Sequence, residues 1–158
     1  MEITFRPIGI IHSPFKDLAD MPIQPTGEAS ASGTVEIHLE FSAGLKDLEG
    51  FSHIILLYYL HKVNRIQLTV VPFLDSEPRG VFATRAPLRP NPIGLSVVPL
   101  RKIKGNILYV DHLDVLDGTP LLDIKPYVPE FDERLEVRIG WLEQARGKAR
   151  FTRSDRLF

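Results

Sequence analysis

Proline and glycine interrupt this chain so often, 13 and 11 times in 158 residues, that no segment can carry a long helix. Proline locks φ, lacks a donor N–H and pushes the residue before it out of the helical region. Short strands fit between the breaks. Residues 34–39 set Val35, Ile37 and Leu39 against Glu36 and His38, the period-two pattern of a half-buried strand. Residues 54–60 are apolar at consecutive positions. That predicts a strand covered on both faces, within a barrel wall or beneath a subunit interface. Further strands are expected over residues 3–11, 68–73, 81–83, 95–103, 106–116, 121–128 and 135–141, and an irregular stretch over 13–33. Helix is confined to residues 42–48, capped by Ser42, and to a turn over 142–146. So many short strands between turn signals predict a mainly β fold: a single-domain β-barrel with few short helices.

The absence of cysteine excludes disulfides, thiolate metal sites and a cysteine nucleophile. His12, His38, His53, His61 and His112 show no metal-ligand spacing, so no metal is expected. The start of the chain lacks the pattern of a signal peptide, and the longest apolar run is too short to cross a bilayer. A soluble, cytoplasmic protein is expected. The net charge of −1 does not by itself mark a nucleic-acid binder. Its distribution is more suggestive, because Arg146, Lys148, Arg150, Arg153 and Arg156 crowd one tail while Arg101, Lys102 and Lys104 form a second group. Such a tail either contacts phosphates or is simply solvated. The expected division is a barrel over residues 1–141 and a basic tail over 142–158.

Chemistry concentrates in residues 84–94, TRAPLRPNPIG, where two arginines, an asparagine and three prolines lie between apolar runs. This composition predicts a stiff loop that holds its guanidinium groups in place, the kind of element on which binding sites are built. No G-x-G-x-x-G or phosphate-cradling loop appears, so a doubly wound cofactor site is excluded. His61 stands where the apolar strand gives way to Lys62 and Asn64, which makes it the histidine best placed for a site. Asp123, Lys125 and Tyr127 alternate with apolar residues and share one strand face.

The run FATRAPLRPNPIGLS at residues 82–96 resembles the hallmark of the TrmO family, also called TsaA-like. Four further blocks follow the family's order: IGIIHSPF at 8–15, PIQP at 22–25, LEGFSH at 48–53 with the strand ending at His61, and LDVLDGTPLLDIKPY at 113–127. The resemblance runs from about Ile8 to Pro129, and the chain stops soon after Trp141, as the short archaeal-type members do. Bacterial members continue into an additional small domain.

The resemblance implies a β-barrel methyltransferase outside the Rossmann group. Such an enzyme carries the methyl group of S-adenosylmethionine to N6 of a threonylcarbamoyl-adenosine beside the anticodon of tRNA, often as a homodimer. Block by block, it implies a cofactor site drawn from Pro22, Ile23, Gln24, His61, Lys62, Arg85, Leu95, Asp117, Gly118, Thr119 and Pro120. A planar guanidinium suits the cofactor's carboxylate, and Leu95 suits its adenine. Asp117 and Asp123 are the candidate proton acceptors. Arg89 and Asn91 are expected to hold the loop or touch substrate, and Lys125 and Tyr127 to join Asp123 in a polar wall near the reaction centre. Two rival readings remain at this point. One is an S-adenosylmethionine-dependent methyltransferase for another substrate, and the other is a non-enzymatic β-barrel that binds RNA or a nucleotide.

Overall fold

The structure, a computed structural model, describes residues 1–17, 31–73 and 75–145. Six antiparallel strands close into a barrel. They are β1 (Gly9–His12), β2 (Ala31–Ile37), β3 (His53–Tyr59), β6 (Ile93–Lys104), β7 (Ile107–Leu113) and β8 (Thr119–Pro126). Their order around the wall is β1-β2-β7-β6-β3-β8, and β8 pairs back onto β1. Two short strands, β4 (Thr69–Val70) and β5 (Arg79–Gly80), form a separate ladder within the long β3–β6 connection. One turn of helix, α1 (Pro129–Asp132), follows the barrel. Ile11, Val35, Ile37, Ile54, Leu56, Val98, Leu108, Val110, Leu113 and Leu121 point inward and are fully buried. Each contributes roughly 1.5–3 kcal/mol by leaving water.

Strict alternation within a barrel wall explains most departures from expectation. β3 is not covered on both faces: Ile54, Leu56 and Tyr58 fill the barrel, while Ile55 and Leu57 lie half-buried on its outer surface. On the neighbouring strand, Ile93, Leu95 and Val97 share that outer surface, with Leu57 opposite Leu95 and Tyr59 opposite Ile93. The first strand starts at Gly9 rather than Ile3, and residues 1–7 are exposed. Residues 135–141 form no strand. The barrel is closed, so it offers no edge to pair with, and positive φ at Glu136 and Gly140 breaks the extended path. Residues 81–83 form a 3-10 turn instead of a strand. The helix expected over 42–48 is a pair of 3-10 turns, Leu39–Leu45 and Leu48–Gly50, and Ser42 Oγ donates backward to Leu39 O rather than capping. The ladder between β3 and β8 slips where Tyr58 faces Leu121 but Leu57 faces Asp123. Leu122 is thus the extra residue of a bulge, and Asp123 turns to the outer surface.

Antiparallel order decides where the loops go. Strand ends His12, Ala31, Tyr59, Ile93, Leu113 and Thr119 all meet at one rim. The chain leaving β1 after His12, the described parts of the β3–β6 connection and residues 114–118 therefore all open from that rim.

Gly94 faces the ring of Tyr58 just inside the rim, where an added Cβ would lie 2.2 Å from the ring. The ring is buried and its hydroxyl is tied to Ser96, so it cannot swing aside freely. Gly94→Ala is expected to cost about 1–3 kcal/mol through overpacking. Thermal denaturation checks this, and a melting temperature equal to wild type would show that the ring moves at little cost.

Candidate functional site

The two arginines of the central loop do different work. Arg89 Nη1 donates to the carbonyl oxygens of Val81 (3.1 Å), Thr84 (2.8 Å) and Ala86 (3.0 Å). Its guanidinium also stacks 5.9 Å from the ring centre of Phe82. Thr84 tightens the same turn, since its hydroxyl donates to Val81 O and accepts from Ala86 N–H. Arg89 therefore holds the loop. Arg85 is exposed, and no described residue forms a hydrogen bond or close ion pair with it. Its field acts on Asp114 and Tyr58 inside the barrel mouth. Arg89 thus serves the scaffold, whereas no described residue engages Arg85.

Asp114, Ser96 and Tyr58 form a buried polar chain that sequence reasoning did not single out. Ser96 Oγ donates to Asp114 Oδ1 at 2.6 Å, so the Tyr58 hydroxyl, 2.8 Å from Ser96 Oγ, donates to Ser96 in turn. Burial pushes the Asp114 carboxyl up to about 6, partly opposed by the Ser96 hydrogen bond and the charge of Arg85. Burial and the Asp114 charge also raise the Tyr58 phenol. The available signal was Ser96, a lone polar residue in register with the inward positions Gly94 and Val98 of β6.

The turn at Asp117 and Gly118, with Thr119 and Pro120 opening β8, sits at the same rim. Asp117 Oδ2 takes a bond from Lys16 Nζ at 2.5 Å and Oδ1 takes one from Ser13 N–H at 3.0 Å, while His12 lies 3.8 Å away. The Lys16 bond holds the Asp117 carboxyl below the usual carboxylate range. Gly118 takes φ 82°, which admits glycine with little strain, and its N–H donates to Ile11 O. The Thr119 hydroxyl is buried and bonded to Leu116 O at 2.6 Å, and Pro120 pairs with Ile10. On the other side of the mouth, Leu60 N–H donates to Pro92 O at 2.8 Å and carries His61 to the central loop. Burial and neighbouring Lys62 both lower the His61 pKa, which favours the uncharged ring. Lys62 and Asn91 are exposed.

Other expected site residues face the outer wall or lie toward the far end. Leu95 is 51% exposed on the outer wall. Asp123 pairs with Lys125 at 3.0 Å on that outer wall. Lys125 lies opposite Ile55, and Tyr127 meets the ring of His53 at 6.3 Å, toward the far end of the barrel. Lys102 and Lys104 lie toward the far end, with Lys102 over Tyr109, whereas Arg101 pairs with Asp111, two residues from the rim end of β7. Pro22, Ile23, Gln24 and the basic residues from Arg146 onward fall outside the described residues. Among the described residues no cluster could hold a metal ion, and no helix is long and apolar enough to cross a membrane.

The model of the tRNA-methyltransferase O N-terminal domain matches residues 10–133, most of the chain. The chain belongs to the TrmO family. A relative from Pyrococcus abyssi, named a probable S-adenosyl-L-methionine-binding protein, is 60% identical over 99% of this chain and 85% of its own length. A mouse relative named tRNA (adenine(37)-N6)-methyltransferase is 36% identical over 80% of this chain and 31% of its own. The crystal structure of TrmO from Pseudomonas aeruginosa superposes with a TM-score of 0.73 at 39% identity, covering 89% of this chain and 63% of that one. The non-Rossmann barrel expected from the resemblance is therefore the fold of the family, and this chain spans less than two thirds of that TrmO chain.

Proposed function

We propose that this chain is a cytoplasmic tRNA methyltransferase that moves the methyl group of S-adenosylmethionine to N6 of threonylcarbamoyl-adenosine beside the anticodon. The observation that carries this reading is the exposed Arg85 guanidinium, to which no described residue bonds, on a loop that Arg89 locks. A cofactor with a carboxylate at one end fits an exposed, planar, pre-positioned cation. Lys62, His61, Leu95 and the backbone of Asp117, Gly118, Thr119 and Pro120 complete the proposed cofactor site, together with Pro22, Ile23 and Gln24.

S-adenosylmethionine supplies an electrophilic methyl group when bound. The protein's contribution is alignment of the acceptor nitrogen behind that methyl, which can be worth ~7–11 kcal/mol of barrier lowering. N6 must also lose a proton. Asp117 is engaged with Lys16 and Asp123 with Lys125, and both serve most readily as fixed negative charges. Asp114, with its carboxyl raised toward neutrality beside Arg85, is the rim carboxylate best suited to take the proton. Asn91 is placed to touch substrate, and the basic residues from Arg146 onward to contact tRNA phosphates. The exposed apolar residues Tyr59 and Ile93 are the proposed contact between two copies in a homodimer.

The deciding experiment is mass spectrometry of tRNA from cells with and without the gene, followed by reconstitution with purified protein. The methylated nucleoside is expected only when the gene is present. Cofactor binding without methylation of any tRNA would instead favour a different substrate.

A further inference from the structure

We infer that Phe82 is a stacking platform for an unstacked RNA base at the barrel mouth; this rests on the proposed tRNA substrate. Phe82 is 75% exposed, unusual for a large aromatic side chain on a turn this firmly held. Its neighbour Val81 is buried and donates its N–H to Leu68 O at 2.9 Å. Thr84 N–H closes the turn onto Val81 O, and Trp141 Nε1 donates to Ala83 O at 2.8 Å. Trp141 is itself covered by Arg79, which Asp75 holds at 2.6 Å. The Arg89 guanidinium lies against the Phe82 ring and is fixed by its bonds to backbone carbonyls.

An aromatic ring held this way loses little freedom when a ligand lands on it. Arg85, exposed and bonded to no described residue, follows three residues later, so the surface offers both a π-face and positive charge. Single-stranded RNA carries the complementary pair, flat bases on a polyanionic backbone. Protein surfaces take such bases by stacking them on aromatic rings and arginine planes, with little regard to base identity. The occupant we assign to this platform is a nucleotide flanking the modified adenosine.

The test compares wild type, Phe82→Ala and Phe82→Trp for binding of an anticodon stem–loop RNA carrying threonylcarbamoyl-adenosine. S-adenosylhomocysteine binding and sedimentation are measured alongside. Phe82→Ala is expected to weaken RNA binding on the order of tenfold or more while cofactor affinity and oligomeric state stay the same. Phe82→Trp should restore binding, and its emission above the Trp141 background should be quenched when RNA is added. Unchanged RNA affinity in Phe82→Ala overturns the inference while leaving the proposed function standing. So does a shift to a smaller species, which would make Phe82 a subunit contact. If wild type neither binds nor methylates the RNA, the proposed function fails and the platform fails with it.

Discussion

Arg85→Ala is expected to lower affinity for S-adenosylmethionine and S-adenosylhomocysteine by roughly tenfold to a hundredfold. A hydrogen-bonded charge pair contributes ~1.5–3 kcal/mol. Thermal stability should barely move, because an exposed side chain without structural partners changes stability by about 0.5 kcal/mol or less. Arg89→Ala should show the opposite pattern. It strips the donor from the carbonyls of Val81, Thr84 and Ala86 and removes the cation behind Phe82. Stability should fall by about 1–3 kcal/mol, and cofactor affinity should fall only as far as the loop loosens. Calorimetry and thermal denaturation on both variants separate the roles. If Arg85→Ala melts early and still binds normally, Arg85 is structural and the cofactor site lies elsewhere.

Asp114→Asn should make the protein more stable at pH 7.5. Burial raises this carboxyl from 3.8 to about 6 in the folded chain. For an acid with a raised folded pKa, the favourable contribution is complete below the unfolded pKa. It is lost as pH rises through the folded pKa. Above pH 6 the barrel therefore carries an ionised carboxylate whose burial costs about 3 kcal/mol, two units at 1.36 kcal/mol each. Asparagine keeps an acceptor for Ser96 without the charge. The variant's advantage should be largest at pH 7–8 and vanish below pH 4, as followed by urea unfolding across that range. A loss of stability at pH 7.5 would mean that attraction to Arg85 outweighs burial. Turnover should fall in the same variant, the usual cost of relieving strain at a working site. Asp117 has the opposite sign: its Lys16 bond depresses the folded pKa, so its contribution is present above the usual carboxylate range and fades in acid.

Much of this was legible in the chain. The period-two runs around Val35 and Ile37, and the turn at 117–120, gave the strands and one corner of the mouth, because alternation and turn chemistry act over a few residues. The proline-bound loop and its resemblance pointed to Arg85. Covalent neighbours alone could not separate Arg85 from Arg89. That difference depends on whether carbonyls from Val81 and Ala86 curl back within 3.1 Å of a guanidinium.

The same limit applies to charge. Asp114, Asp117 and Asp123 look alike as letters within one motif, yet burial, a lysine and a bulge send them to three environments. Local sequence thus determined the strands, the stiff loop and the residue types available for chemistry. Only barrel closure decided which of them share a rim, because antiparallel pairing gathers loops from distant parts of the chain at one end. It also decided which face of each strand is dry, and so which carboxylate sits where water cannot hold its charge.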